Sequence, residues 1–245
     1  MTYCLGMFLD DGLVMASDSR TNAGVDQIAK VRKMANFVNP GERVITVLSA
    51  GNLGTTQSVV TLLRQSLRSD VEGHDLFAAK TMFDAARIVG GKLREVLQHD
   101  GEHVRLHGDP NASFLVGGQI TGESHRLFQI YSAGNFVEAS ARAQLLQIGE
   151  TKYGKPILDR AVVDETTLDA AAKLALISFD ATIRSNLSVE GPIDLIRYKA
   201  DSFVADNVCK YRRDDPYWVD LRTRYSEGLM QVINSIPNPP DAGMM

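Results

Sequence analysis

The chain has 245 residues, 44% hydrophobic and 23% charged, an ordinary globular composition with enough length to bury a large core without disulfide or metal staples. Lysine and arginine total 26 against 30 acidic residues, which excludes a general electrostatic pull toward nucleic acid or anionic membrane. No apolar run approaches the ~20 residues of a membrane span, no secretory pattern opens the sequence, and two cysteines, Cys4 and Cys209, cannot build a disulfide framework. The expectation is a soluble cytoplasmic protein of one domain.

Strand signals come first. Thr2 to Leu9 alternates, Asp10-Asp11-Gly12 marks a turn, and Leu13 to Ala16 runs back as the second arm of a hairpin. Ser17 to Gly24 is small and polar and reads as a loop, and Arg43 to Ser49 is a compact apolar run of buried-strand type. The period then changes: 52–67 and 76–97 place their apolar residues on helical faces, with Gly90-Gly91 marking either weakness or close packing. Strands are predicted again at 112–120, 125–132 and 136–139; 144–149 then leads into a short helix near 156–162, and a strong helix follows over 167–184, capped by Thr166 or Thr167. Two more strands, 193–200 and 202–211, precede an amphipathic helix over 217–236 and a Pro-rich tail at 237–245. Two stacked sheets between two helical layers would bury all of these faces, within one domain spanning 1–236.

The chemistry gathers at the start. If methionine aminopeptidase removes Met1, Thr2 carries a hydroxyl and a free α-amine on one residue. Such an amine, with a reference pKa of about 7.7–8.0, can serve as base to an otherwise weak nucleophile. Hairpin pairing returns Asp18 to the chain start, and Lys33 follows fifteen residues later. A lysine beside Thr2 favours its deprotonated form, and Asp18 would keep that lysine charged and oriented. The segment Leu48-Ser49-Ala50-Gly51-Asn52 passes from strand to helix, where free N–H groups and a glycine suit an oxyanion. Each element alone has an ordinary reading: Asp18 as a turn cap, Lys33 as a surface lysine, Gly51 as the glycine that opens a helix.

Taken together, TYCLGMFLDDGLVMASDSRTNAG, a following lysine, and a strand ending SAGN before a helix resemble the proteasome β-subunit, and most closely its bacterial relative Anbu, the ancestral β-subunit. The likeness extends through Gln147–Leu158, Ser185–Asp194 and the additional C-terminal helix. It implies an N-terminal nucleophile hydrolase with an α+β fold, a four-layer αββα sandwich of antiparallel sheets, that assembles into rings or spirals of many copies. It further implies Thr2 as nucleophile, Asp18 and Lys33 as its tuning pair, the Gly51 N–H for the oxyanion and Ser188 as a supporting residue. Asn22 falls at a position that binds substrate backbone, and Ser49 at the residue lining the primary specificity pocket. No metal or organic cofactor is implied.

Two positions depart from the proteasomal pattern. Glu150 stands where a serine supports the threonine amine, and Ser185 where an acidic partner precedes Ser188. The reading is therefore a threonine-type peptidase or amidase working through an acyl-enzyme, with a self-assembling scaffold of weak or no activity, or an amidase or transamidase for one specific substrate, as alternatives. His99, His103 and His107 have helical spacing, but Gly101 and Gly108-Asp109-Pro110 predict that the helix ends there, in an exposed connection rather than a metal site. Cys4 is expected in the core, and Trp218, Leu221, Tyr225, Leu229, Val232 and Ile236 form an apolar stripe expected to bind another copy.

Overall fold

The computed structural model describes residues 2–23, 27–68, 75–206 and 208–240. A hairpin of β1 (Tyr3–Leu9) and β2 (Gly12–Ser17) leads through a ribbon, β3 (Arg20–Ala23) and β4 (Gln27–Lys30), to β5 (Met34–Asn39) and β6 (Arg43–Gly51). Helices α1 (Leu53–Ser66) and α2 (Met82–Arg105) follow, then β7 (Ala112–Ile120), β8 (Arg126–Ile130), β9 (Phe136–Glu138) and β10 (Leu145–Gly149). The chain closes with α3 (Lys155–Ala161), α4 (Leu168–Ser185), β11 (Ile193–Lys199), β12 (Val208–Tyr211) and α5 (Pro216–Ser235).

The strands form two antiparallel sheets, ordered β10-β1-β2-β11-β12 and β5-β6-β7-β8-β9. Side-chain alternation decides the layering. In β1, Tyr3, Leu5, Met7 and Leu9 pack with α3, α4 and the start of α5, while Cys4 points into the core between the sheets. In β6, Val44, Leu48 and Ala50 face that same inter-sheet core, while Ile45 and Val47 lie under α1 and α2. Three apolar layers thus separate four layers of secondary structure, the αββα sandwich expected from the periodicities. Each fully buried Leu, Met or Phe contributes about 1.5–3 kcal/mol, so the three layers dominate stability.

Helix starts follow their caps. Asn52 accepts from the Thr55 N–H at the head of α1, Thr167 from Ala170 at α4, and Asp215 from Tyr217 and Trp218 at α5. Several expectations need correction. The predicted helix from 76 begins only at Met82, because Asp75 folds 75–78 into a side-chain-capped turn and Thr81 and Asp84 form a reciprocal cap. The same helix runs past Gly101 to Arg105, so His99 and His103 belong to it; among the described residues no group of three His, Cys, Asp or Glu side chains could hold a metal ion. Gly90 marks close packing: a Cβ there would stand 2.2 Å from the Gly134 carbonyl oxygen. The loop expected from Ser17 contains β3, whose sequence, Arg20-Thr21-Asn22-Ala23, carries no apolar alternation to mark a strand. The last strand starts at Val208 rather than Ser202, since Asp201 and Phe203 take left-handed backbone conformations that no ladder accepts. The apolar stripe of α5 divides: Trp218 is buried and Leu221 packs against the same core, while Leu229, Val232 and Ile236 are exposed. Among the described residues no helix is long and apolar enough to cross a membrane.

Candidate active site

Thr2 is held from three sides. Its neighbour Tyr3 is anchored outward, the phenol hydrogen-bonded to Ser178 of α4 and accepting from Gln147 of β10, both at 2.6 Å. Burial pushes that phenol up to about 12, so Tyr3 is an anchor and not an acid. The Thr2 carbonyl accepts from the Glu150 N–H at 2.7 Å, where β10 ends beside the chain start. This approach requires Gly149, which has φ +82° and whose Cβ would stand 2.0 Å from the Thr2 oxygen.

The hairpin register, Cys4 opposite Ser17, brings Asp18 to Tyr3. The Tyr3 N–H donates to Asp18 Oδ1 at 3.0 Å, and the Arg20 N–H donates to Oδ2 at 3.2 Å. Ribbon pairing, with Arg20 opposite Lys30, then turns the chain so that Lys33 returns to the same carboxylate. Lys33 Nζ lies 2.7 Å from Asp18 Oδ1 and also donates to the Arg20 carbonyl. Burial pushes the Asp18 carboxyl above the ordinary carboxylate range, while the Lys33 ammonium and the two backbone N–H groups oppose that rise. The result is a cation fixed at the wall of a cleft, its counter-charge buried behind it.

Thr2, Lys33, Ser49 and Gly51 all line that cleft, which has a volume of about 500 Å³. Along β6 the ladder alternates: the Ser49 N–H donates to the Lys33 carbonyl toward β5, and the Asn52 N–H donates to Asn111 toward β7. Gly51, two residues after Ser49, therefore aims its N–H to the β5 side, where β5 has not yet begun and the cleft opens. Its φ of +115° and a Cβ position 2.4 Å from the Asn111 oxygen admit only glycine. Cys4 donates weakly to the Ser49 carbonyl, and burial pushes its thiol far up, which leaves it a core residue as expected.

The remaining positions are dispersed. Ser188 does not line the cleft; it sits in the turn after α4 with its N–H donating to Asn186 Oδ1 at 2.9 Å. Ser185 ends α4 and is exposed. The backbone of Asn22 pairs with Ile28 in the ribbon, and its side chain lies outside the described residues. Sequence reasoning did not pick out Asn186, whose amide donates to Glu150 Oε2 at 3.0 Å and so ties the end of α4 to the residue whose N–H holds the Thr2 carbonyl. Nor did it find Glu190, which accepts from Arg20 at 2.7 Å and braces the Asp18 loop. No spacing announces either contact, since both partners come from distant turns.

Comparison with known proteins gives a consistent picture. Residues 2–196 match the family model for the proteasome subunit. Among solved structures, Anbu (ancestral β-subunit) of Yersinia bercovieri is 46% identical over 98% of this chain and 100% of its own, with a TM-score of 0.92. The helical assembly of the Anbu complex of Pseudomonas aeruginosa is 46% identical over 99% and 100%, with a TM-score of 0.94. A Gly-1 mutant of Anbu from Hyphomicrobium sp. strain MC1 is also 46% identical, over 98% and 100%, with a TM-score of 0.91. A search of the curated proteins gives no match.

Proposed function

The chain belongs to the proteasome-subunit family, in its Anbu branch, and from this we propose that it is an N-terminal threonine hydrolase acting on peptide or related amide bonds. The observation that carries the reading is the buried Lys33–Asp18 pair, 2.7 Å apart, set in the wall of the cleft that Thr2 also lines. A structural salt bridge has no need to set its ammonium in the wall of a cleft that Thr2 also lines.

In the proposed reaction Met1 has been removed and the α-amine of Thr2 accepts the proton of its own hydroxyl. The Thr2 oxygen attacks the amide carbonyl, whose oxygen takes negative charge toward the Gly51 N–H. Lys33 stabilises the charge developing on the threonine oxygen, and Asp18 holds Lys33 in place. The protonated α-amine gives its proton to the leaving nitrogen, the C–N bond breaks, and an ester on Thr2 remains until water hydrolyses it. Ser49 contributes to the pocket for the acyl side chain, and Asn22 lies on the strand that would border the substrate backbone. Glu150, whose carboxylate is held by Asn186, keeps the end of β10 hydrogen-bonded to the Thr2 carbonyl. Ser188 acts at a distance, through Asn186 and Glu150.

The protein acts as a homo-oligomer. Support comes from the relative described as a helical assembly and from the apolar outer half of α5 with the residue that caps it, where Leu229, Met230, Val232, Ile233 and Ile236 are exposed. It works in the cytoplasm without metal or organic cofactor, and with neither nucleic acid nor membrane as partner.

Mass spectrometry with an electrophilic peptide epoxyketone tests the chemistry. The Met1-free protein should gain one adduct on Thr2, and the Met1-retaining protein, whose Thr2 nitrogen is an amide, should gain none. Equal labelling of both forms, or an adduct elsewhere, would overturn the reading.

A further inference from the structure

Among the described residues, the cleft beside Thr2 is lined by charges of one sign. The protein as a whole carries 30 acidic against 26 basic side chains, yet among the described residues those lining this cleft include Arg32, Lys33 and Arg64 and not one carboxylate. Their charges are not equally available. Lys33 is neutralised by Asp18 at 2.7 Å. Arg32 is 3.9 Å from the buried Asp194 carboxylate, beyond hydrogen-bond range, and 60% of its side chain is exposed. Arg64 has no acidic partner within ion-pair distance among the described residues, and none of its nitrogens is committed to a carbonyl. One full positive charge and part of a second therefore face the cleft.

The position of Arg64 follows from helix geometry. Leu53, Thr56, Gln57, Val60, Thr61 and Arg64 recur at three- and four-residue steps, so one face of α1 floors the cleft along its length. Arg64 lies eleven residues beyond Leu53, about 16 Å along the axis, and helical side chains lean back toward the N-terminus, which shortens that reach. An extended peptide advances about 3.3 Å per residue. Three residues cover about 10 Å, and the back-leaning arginine and the peptide's own side chain cover the rest, so a side chain up to three residues from the reacting carbonyl can meet the guanidinium.

We propose that the cleft selects peptides carrying an acidic side chain one to three residues on the acyl side of the scissile bond, with Arg64 as the principal specificity residue and Arg32 assisting. The proposal rests on the Thr2 reading for the position of the scissile bond, but the binding preference itself does not require Thr2 to react. The walls between the two ends suit such a substrate: Ala35, Ser49 and Val60 are small or apolar, and Thr56, Gln57 and Thr61 offer neutral hydrogen-bonding groups. A lysine-bearing peptide would place like charges together in the same cleft, which is disfavoured. Arg64 also sits in the last turn of α1, where a cation stabilises the helix dipole, a role that substrate charge would not sense.

The test uses the Met1-free full-length protein and three sets of fluorescein-labelled alanine-based peptides with Glu, Gln or Lys at the second residue from the carboxyl end, each as a carboxamide and as an epoxyketone. Anisotropy with the carboxamides should show the Glu peptide binding on the order of tenfold tighter than Gln at low salt, with Lys weakest, and the gap should shrink as salt is raised. Arg64→Gln should bring the Glu-to-Gln ratio toward one, and Arg64→Glu should reverse the order in favour of Lys. Equal affinities for the three peptides, or a ratio untouched by both substitutions, would overturn the proposal. The epoxyketones separate this outcome from the chemistry. A Glu preference in binding without any adduct on Thr2 sinks the nucleophile and leaves the specificity standing. Adducts on Thr2 formed equally by all three do the reverse.

Discussion

Lys33 and Asp18 meet at 2.7 Å although only 6% of one side chain and none of the other is exposed to solvent. Two opposite charges removed from water to this degree depend on each other, because either one alone would be an uncompensated buried ion. Replacing Lys33 by Ala should destabilise the protein by about 3–5 kcal/mol in denaturant unfolding. It should also slow acylation of Thr2 by on the order of 10²–10³, the usual consequence of removing one charge partner of a reacting oxygen. Lys33→Ala protein that reacts with the epoxyketone at the wild-type rate would remove Lys33 from the mechanism.

Asp194 gives a pH dependence of definite sign. Burial pushes its carboxyl above the ordinary range, with Lys210 and Arg32, each 3.9 Å away, only partly opposing the rise. Below the unfolded value of about 3.9 the group is neutral in both states and folding carries no penalty from it. As pH rises toward the folded value, the unfolded chain releases its proton before the folded one does, so stability falls. Asp194→Asn cannot ionise and escapes that loss. Urea denaturation from pH 3.5 to 7.5 should show the Asn variant gaining on wild type as pH rises; a gap that is flat, or that widens toward acid, contradicts the assignment.

Gly149 should be irreplaceable even by alanine. The left-handed backbone costs an L-residue roughly 1–2 kcal/mol, and the new methyl would meet the Thr2 carbonyl at 2.0 Å, inside contact distance. Gly149→Ala should therefore unfold more readily by more than about 2 kcal/mol and lose Thr2 labelling together with that stability. Gly122, also left-handed but with nothing within 4 Å of a Cβ, provides the control: Gly122→Ala should show the backbone cost alone and keep its labelling.

Assembly is read from the two halves of α5. The proximal half is tied down by Trp218, which is 1% exposed, and the distal half leaves Val232 and Ile233 more than half exposed. Val232→Glu with Ile233→Glu should lower the particle mass in light scattering while circular dichroism stays unchanged, since neither side chain packs against the core. Wild-type protein that runs as a monomer at micromolar concentration would end the oligomer proposal outright.

Much of this molecule is local and therefore legible in its sequence. The two-residue period of β1, β6 and β7, the helical period of α1 and α4, and the Asn52, Thr167 and Asp215 side chains that cap three helices each depend on near neighbours. The order of Thr2, Asp18, Lys33 and Gly51 along the chain was equally visible, and so was the resemblance it carries. Other features needed the folded chain. The ribbon β3–β4 is short and no apolar alternation marks it, yet its register is what returns Lys33 to Asp18. Helix α2 passes Gly101 because its other buried residues, from Met82 to Val96, secure it against the sheet, a contribution that outweighs the roughly 1 kcal/mol glycine penalty. Glu150 reaches Asn186, and Arg64 comes to line the same cleft as Thr2, only because separate elements are brought together in the fold. Periodicity reports which face of an element avoids water; it carries no information on which distant charge will arrive beside it.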